Sequence, residues 1–379
     1  MLNTRIKKIS KVVGINIIII GIFLVSPALF YRLYLKLKPV FSKQLNQTSD
    51  PRAFYPTYSN KEFSIELFNE LSKLPKVPYR SFIGWRREKV NLKYINITGP
   101  YNARKSKGES INNSVWFFGG STMWGTGASD MQTIPSHFNS ITNIPVYNFG
   151  ETGWKSRQSL NQLINAIGDN NKPSVVIFYD GVNDIFNQCR SEIKLVPAHA
   201  REKQIQNSIK QIQTTERISN FILSPYIAIV RKFGIQFPVV KKSQSKSYDC
   251  DINKAKARLV AQHLVNNWRT AYSLSKSNNF KFYGVLQPNL FSTETNSEYL
   301  SDNQVKRHPL YKSQFNAVYP LILEEISSNC ELDKEICSFM IDGTNWLDGN
   351  KNIFIDDNHL NSLGNRIIAQ RLKSLIKNK

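Results

Sequence analysis

Along the chain the spacing of apolar and polar positions changes several times, and each change predicts an element. Residues 12–30, "VVGINIIIIGIFLVSPALF", form an uncharged apolar run. At about 1.5 Å per helical residue, that length just spans a hydrocarbon layer of ~30 Å. The run therefore predicts one N-terminal transmembrane helix. Arg5, Lys7, Lys8 and Lys11 precede it, and the bulky "LFYRLY" follows with no small-residue cleavage pattern, which favours an uncleaved anchor over a signal peptide. From 31 to about 78 the chain is polar and dotted with proline, as a stalk would be. Within it "KEFSIELFNELSKL", 61–74, carries Phe63, Ile65, Leu67, Phe68, Leu71 and Leu74 at helical spacing. Alternation around Tyr94, Ile95, Asn96 and Ile97 predicts a small strand extension.

From Val115 the period alternates between strand and helix. "VWFF" is β-branched and aromatic and is closed by Gly119 and Gly120, the signature of a strand covered on both faces. A helix opening near Pro135 follows, then the strand "PVYNFG" and a helix with Leu160, Leu163, Ile164 and Ile167 on one face. "SVVIFYDG", "FKFYGVLQP" and "CSFMIDGTNWL" supply three more strands, and 364–376 supplies a closing helix. Between about 190 and 275 the sequence turns basic and helix-prone; its first part predicts a helical insertion over one sheet edge, and "KARLVAQHLVNNWRTAYSL" a core helix. The expected fold is α/β, a flavodoxin-like three-layer α/β/α arrangement with a five-stranded parallel sheet, plus the N-terminal transmembrane helix. Its expected divisions are 1–31, cytoplasmic tip and anchor; 32–111, stalk and small extension; and 112–379, the α/β domain with its insertion.

Composition changes this picture in two respects. A chain of 379 residues, 41% hydrophobic, can bury a large core, while a formal net charge of +22 implies anionic surroundings. No zinc-finger spacing or aromatic RNA-binding signature accompanies that charge, so a membrane-proximal basic surface is expected and no nucleic-acid partner. The four cysteines, Cys189, Cys250, Cys330 and Cys337, form no C-x-x-C pair and have no histidine at metal-ligand spacing, so no metal site is expected. They suit two disulfides, Cys330 with Cys337 and Cys189 with Cys250, which would place this part of the chain in an oxidising compartment; four buried free thiols are the other reading.

In an open parallel sheet, reactive groups gather beyond the carboxyl ends of the strands. Four such ends carry candidate chemistry: Ser121 after "FFGG", Gly150 and Gly153 in "NFGETGW", Asn183 and Asp184 in "DGVND", and Asp356 and His359 in "IDDNHLN". A serine hydroxyl is a weak nucleophile until a base takes its proton, and an imidazole serves best when a carboxylate fixes its tautomer. His359 would be the base and Asp356 the orienting carboxylate. The backbone NH groups of Ser121 and Gly153 and the Asn183 amide would receive the oxyanion. Taken singly, each segment is ordinary turn composition; their order and their placement at strand ends make them a set. His137, His199, His263 and His308 have no comparable companions and are given no role.

With these residues the chain resembles the SGNH hydrolases, also called GDSL-type esterases, over roughly 112–376, with 190–275 poorly matched. "FFGGST" resembles the serine block, "NFGETG" the glycine block with Gly153 as donor, "GVND" the asparagine block, and Asp356 to His359 the final D-x-x-H block. The aspartate that usually precedes the serine in this family is Gly120 here, which argues against the lipase and thioesterase branches. The resemblance implies a cofactor-free serine esterase with an acyl-enzyme intermediate, acting on acyl, chiefly acetyl, esters of cell-envelope carbohydrate. The anchor and cysteines add a single-pass membrane protein with its catalytic domain outside the cytoplasm, on the periplasmic or cell-surface side. An O-acyltransferase with the same triad, and a catalytically silent polysaccharide-binding or assembly protein, are the alternative readings.

Overall fold

The computed structural model describes residues 15–16, 50–194, 199, 201, 205, 247–295, 297–300 and 308–377. The expected anchor at 12–30, apart from those two residues, and the insertion from 206 to 246 lie outside them. Among the described residues no helix is long and apolar enough to cross a membrane. Gln47–Glu202 and Ser245–Lys379 form one compact unit.

That unit begins with helix α1 (Lys61–Lys73), where the Asn60 side chain accepts a hydrogen bond from the Phe63 NH and so caps the first turn. Two short antiparallel hairpins follow, β1 (Tyr79–Arg80) with β2 (Gly84–Trp85) and β3 (Val90–Asn91) with β4 (Asn96–Ile97). The main domain then runs β5 (Val115–Gly119), α2 (Ser121–Trp124), α3 (Ile134–Thr142), β6 (Val146–Asn148), α4 (Ser156–Gly168), β7 (Val175–Asp180) and α5 (Val182–Gln188). It closes with α6 (Lys254–Asn278), β8 (Lys281–Leu286), α7 (His308–Leu332), β9 (Met340–Asp342) and α8 (Ser362–Lys377).

Strands β5 to β9 form one parallel sheet in the order β6-β5-β7-β8-β9. This is the doubly wound order in which the connection reverses between the first and third strands and leaves a crevice at their carboxyl ends. Because strand side chains alternate between faces, Trp116 and Phe118 of β5 enter a core shared with α4, α6 and α7, while Val115 and Phe117 enter a second core under α3 and α8. The three-layer expectation holds, and all five strands lie where the apolar runs placed them.

The stretch expected as stalk and extension is described from residue 50 onward, and there it packs as part of the compact unit. Ala53, Tyr58 and Phe68 cluster with Ile355, and Leu67, Ile95 and Ile97 cluster with Trp124. Both expected cysteine pairs are brought together, with Cα atoms 5.1 Å apart in Cys189–Cys250 and in Cys330–Cys337. The first ties the end of α5 to the chain just ahead of α6.

Candidate active site

The apolar run of β5 ends at Gly119, and after Gly120 the chain enters α2 directly, with Ser121 as its first residue. A first helical residue has no intrahelical partner for its NH, so hydroxyl and NH are presented together at the sheet's carboxyl edge. Ser121 is only 6% exposed.

The histidine comes from a tight loop near the C-terminus. Ile355 NH donates to the His359 carbonyl, and Asp356 Oδ1 accepts from the Asn358 and His359 NH groups at 3.1 and 2.8 Å. The same carboxylate receives His359 Nδ1 at 2.7–2.8 Å, which leaves Nε2 to accept from Ser121 Oγ at 2.6 Å. Thr122 fastens the loop to the serine helix: its hydroxyl donates to the Asn358 carbonyl and accepts from Gln287 Nε2, just beyond β8. The Ser121, His359 and Asp356 expected from sequence thus form one hydrogen-bonded chain.

Arg52 is a partner that sequence reasoning did not find. Its guanidinium donates to Asp356 Oδ2 at 2.8 Å while also holding Asp50. Burial alone would raise the Asp356 carboxyl, but the imidazole and then the Arg52 charge outweigh it and hold the group well below the usual carboxylate range. The carboxylate is therefore fixed in its ionised form, able to stabilise an imidazolium.

Of the residues expected as oxyanion donors, Asn183 stands beside Gly120. Asn183, in the first turn of α5, donates through Nδ2 to the Trp154 carbonyl at 2.8 Å. That amide stands so close to Gly120 that a Cβ there would lie 2.0 Å from Nδ2. Any side chain at 120 would therefore require the flexible Asn183 amide to move. Gly153 holds φ +77°, a left-handed backbone that favours glycine; its NH has no hydrogen-bond partner among the described residues. Asp184, its neighbour in the motif, points elsewhere: it accepts from the NH and hydroxyl of Ser156 and ties α5 to the start of α4.

The glycine loop is clamped by the N-terminal hairpins. Trp85 Nε1 donates to the Thr152 carbonyl, Trp154 Nε1 donates to the Trp85 carbonyl, and Arg87 holds the Glu151 carboxylate through its NH and guanidinium. His199, given no role above, joins them. Arg201 NH donates to its Nδ1, so Nε2 carries the proton and donates to the Gly153 carbonyl at 3.1 Å. Burial, reinforced by the Lys155 charge, pushes this imidazole down to about 3, so it stays neutral. On the other side Arg104, fully buried, donates to the carbonyls of Trp124, Gly125 and Ala128 behind the serine helix. Among the described residues no group of three His, Cys, Asp or Glu side chains is placed to hold a metal ion.

Residues 115–372 match the profile of GDSL-like lipases and acylhydrolases. The chain belongs to that family. It is accordingly a serine hydrolase of the GDSL, or SGNH, type. No curated protein matches the chain. Among solved structures it is similar to a GDSL-like lipase from Bacteroides thetaiotaomicron, at 13% identity over 70% of this chain and 88% of that one, TM-score 0.36. A member of the lipolytic G-D-S-L family from Veillonella parvula aligns at 11% identity over 70% and 99%, TM-score 0.36. A catalytic mutant of an acetylxylan esterase from Geobacillus stearothermophilus aligns at 11% over 71% and 96%, TM-score 0.31. This GDSL chain keeps the four blocks at the ends of β5, β6 and β7 and ahead of α8, with Gly120 in place of the block's aspartate.

Proposed function

We propose that the chain is a membrane-anchored, extracytoplasmic serine esterase that removes acyl groups, chiefly acetyl, from cell-envelope carbohydrate. The observation that carries this reading is the continuous hydrogen-bond chain from Ser121 Oγ through His359 to Asp356. In the reaction, Ser121 Oγ attacks the ester carbonyl as its proton passes to His359 Nε2. Asp356 stabilises the imidazolium, and the NH groups of Ser121 and Gly153 with the Asn183 amide receive the oxyanion. The imidazolium then returns the proton to the departing sugar oxygen, leaving acetyl on Ser121. A water deprotonated by the same imidazole completes hydrolysis. The paired cysteines support an oxidising compartment, and the apolar run at 12–30 supports the anchor.

Labelling with a fluorophosphonate probe tests the site. Wild type should become modified at Ser121, whereas His359→Ala should lose labelling; absence of label on folded wild type refutes the esterase reading. Acetate release from a chromogenic acetyl ester, with and without added oligosaccharide, separates hydrolysis from transfer, since turnover that depends on the acceptor identifies an acyltransferase.

A further inference from the structure

A second cavity, of about 630 Å³, opens between the β1–β2 hairpin, the turn at Tyr101 and Asn102, and the outer side of α4. Its volume falls within the range of small-molecule sites. From Gln162 to Asp169 it follows α4 for roughly 10 Å, away from the glycine loop that α4 leaves behind.

Backbone strain marks this cavity. Eight non-glycine residues among those described have positive φ, and six are asparagines, which adopt that region readily. The other two are Phe82 (φ 66°) and Tyr101 (φ 54°), and both line the cavity. Phe82 is pinned by Asn161 Nδ2, which donates to its carbonyl at 2.6 Å, yet its side chain is left 83% exposed. A bulky residue kept in an unfavourable conformation to hold a ring in water is unexplained by folding alone.

Unmet polar groups are the second mark. Arg86 and Gln162 both line the cavity and are buried, and Arg86 Nη2 and Gln162 Nε2 have no hydrogen-bond partner among the described residues. The remaining Arg86 donors are used: Nη1 reaches the carbonyls of Phe149 and Gly150, Nε reaches that of Asn102, and the charge is opposed by the buried Glu151 carboxylate, 3.9 Å from Nε. A buried donor without an acceptor is costly, and a ligand oxygen would satisfy it. Arg80 adds an exposed cation, loosely paired with Glu88 at 3.5 Å; the lining carboxylate Asp169 already accepts from Tyr101.

From these features we infer that the cavity is a binding site for an acidic glycan, with a sugar face stacked on Phe82 and a uronate carboxylate held by Arg80. Aromatic faces suit the apolar CH faces of sugar rings, guanidinium groups suit carboxylates, and the amides of Gln162 and Asn165 suit hydroxyls. The site lies off the serine crevice and would hold the polymer while an acyl group further along the same strand enters the active site. Identifying the ligand as carbohydrate rests on the function proposed above.

The test is calorimetric titration of full-length Ser121→Ala protein with trigalacturonate and with neutral xylotriose. Trigalacturonate should bind at least ~10-fold tighter than xylotriose and weaken several-fold when salt rises from about 50 to about 300 mM. Phe82→Ala should weaken it at least ~10-fold, and Arg80→Gln should reduce the preference for the charged sugar. Phe82 and Arg80 are exposed, so circular dichroism of both variants should match the parent. Unchanged affinity in Phe82→Ala, equal binding of both sugars, or inorganic phosphate binding as tightly as trigalacturonate each overturns the inference. Fluorophosphonate labelling is scored separately: binding without labelling upholds the cavity and removes the esterase reading, whereas labelling without binding removes the cavity assignment.

Discussion

Gly120→Ala isolates one oxyanion donor with a single methyl group. The backbone at 120 has φ −80° and ψ −155°, which alanine adopts without strain. The new Cβ, however, would stand 2.0 Å from Asn183 Nδ2 and 3.4 Å from the Trp154 carbonyl oxygen. The flexible amide is the group that must yield, and in yielding it leaves both the Trp154 carbonyl and the space beside Ser121. One hydrogen bond is worth about 1 kcal/mol, so stability should fall only by about that much. Loss of one oxyanion donor costs roughly 100- to 1,000-fold in kcat, or about 2.7–4 kcal/mol. Steady-state hydrolysis of a chromogenic acetyl ester should therefore show kcat down by that factor with KM little changed, because the donor acts on the transition state. Because the effect runs through one neighbour, Gly120→Ala should cost little further in an Asn183→Ala background. Wild-type kcat in the single variant, or full additivity in the double, would refute the placement of Asn183 in the oxyanion site.

Arg52→Met should lower unfolding free energy by about 1–3 kcal/mol, since it strips a hydrogen-bond donor from the nearly buried Asp356. Asp356 titrates below its unfolded value, so its stabilisation is present above about pH 4 and is lost as pH falls through the folded pKa; denaturant midpoints of wild type and variant should accordingly converge under strongly acidic conditions. Asp180 shows the opposite sign, its carboxyl pushed up by burial and then by Asp184. Its penalty is present above the folded pKa and fades on acidification towards about pH 4, so Asp180→Asn should raise the urea midpoint near neutrality and flatten its pH dependence. Replacing Cys189 and Cys250 by serine opens a link across 61 residues, and a loss of roughly 2–4 kcal/mol is expected by chemical denaturation.

The sheet and the serine–histidine–aspartate set were legible because their signals are local. An apolar run ending in Gly-Gly marks the strand before Ser121, and a three-residue spacing lets one turn join Asp356 to His359. The parts that hold this set in place left no such mark. Arg52 acts on a carboxylate 304 residues away, and Arg86, Arg87 and Arg104, which no sequence motif singles out, are buried against backbone carbonyls or carboxylates. A guanidinium carries five donors and can enter a protein interior wherever carbonyls converge on it, so its burial depends on tertiary partners and has no sequence period. The same reasoning explains His199, which donates to the Gly153 backbone carbonyl, a partner with no side-chain signature in the sequence. Residues 50–104 read as stalk and extension for this reason, although they touch the aspartate loop through Arg52 and Phe68, the serine turn through Arg104 and Leu67, and the glycine loop through Trp85 and Arg87. Each of these contacts fixes a loop that carries part of the site. The geometry around Ser121 is thus set as much by the chain ahead of the sheet as by the sheet itself.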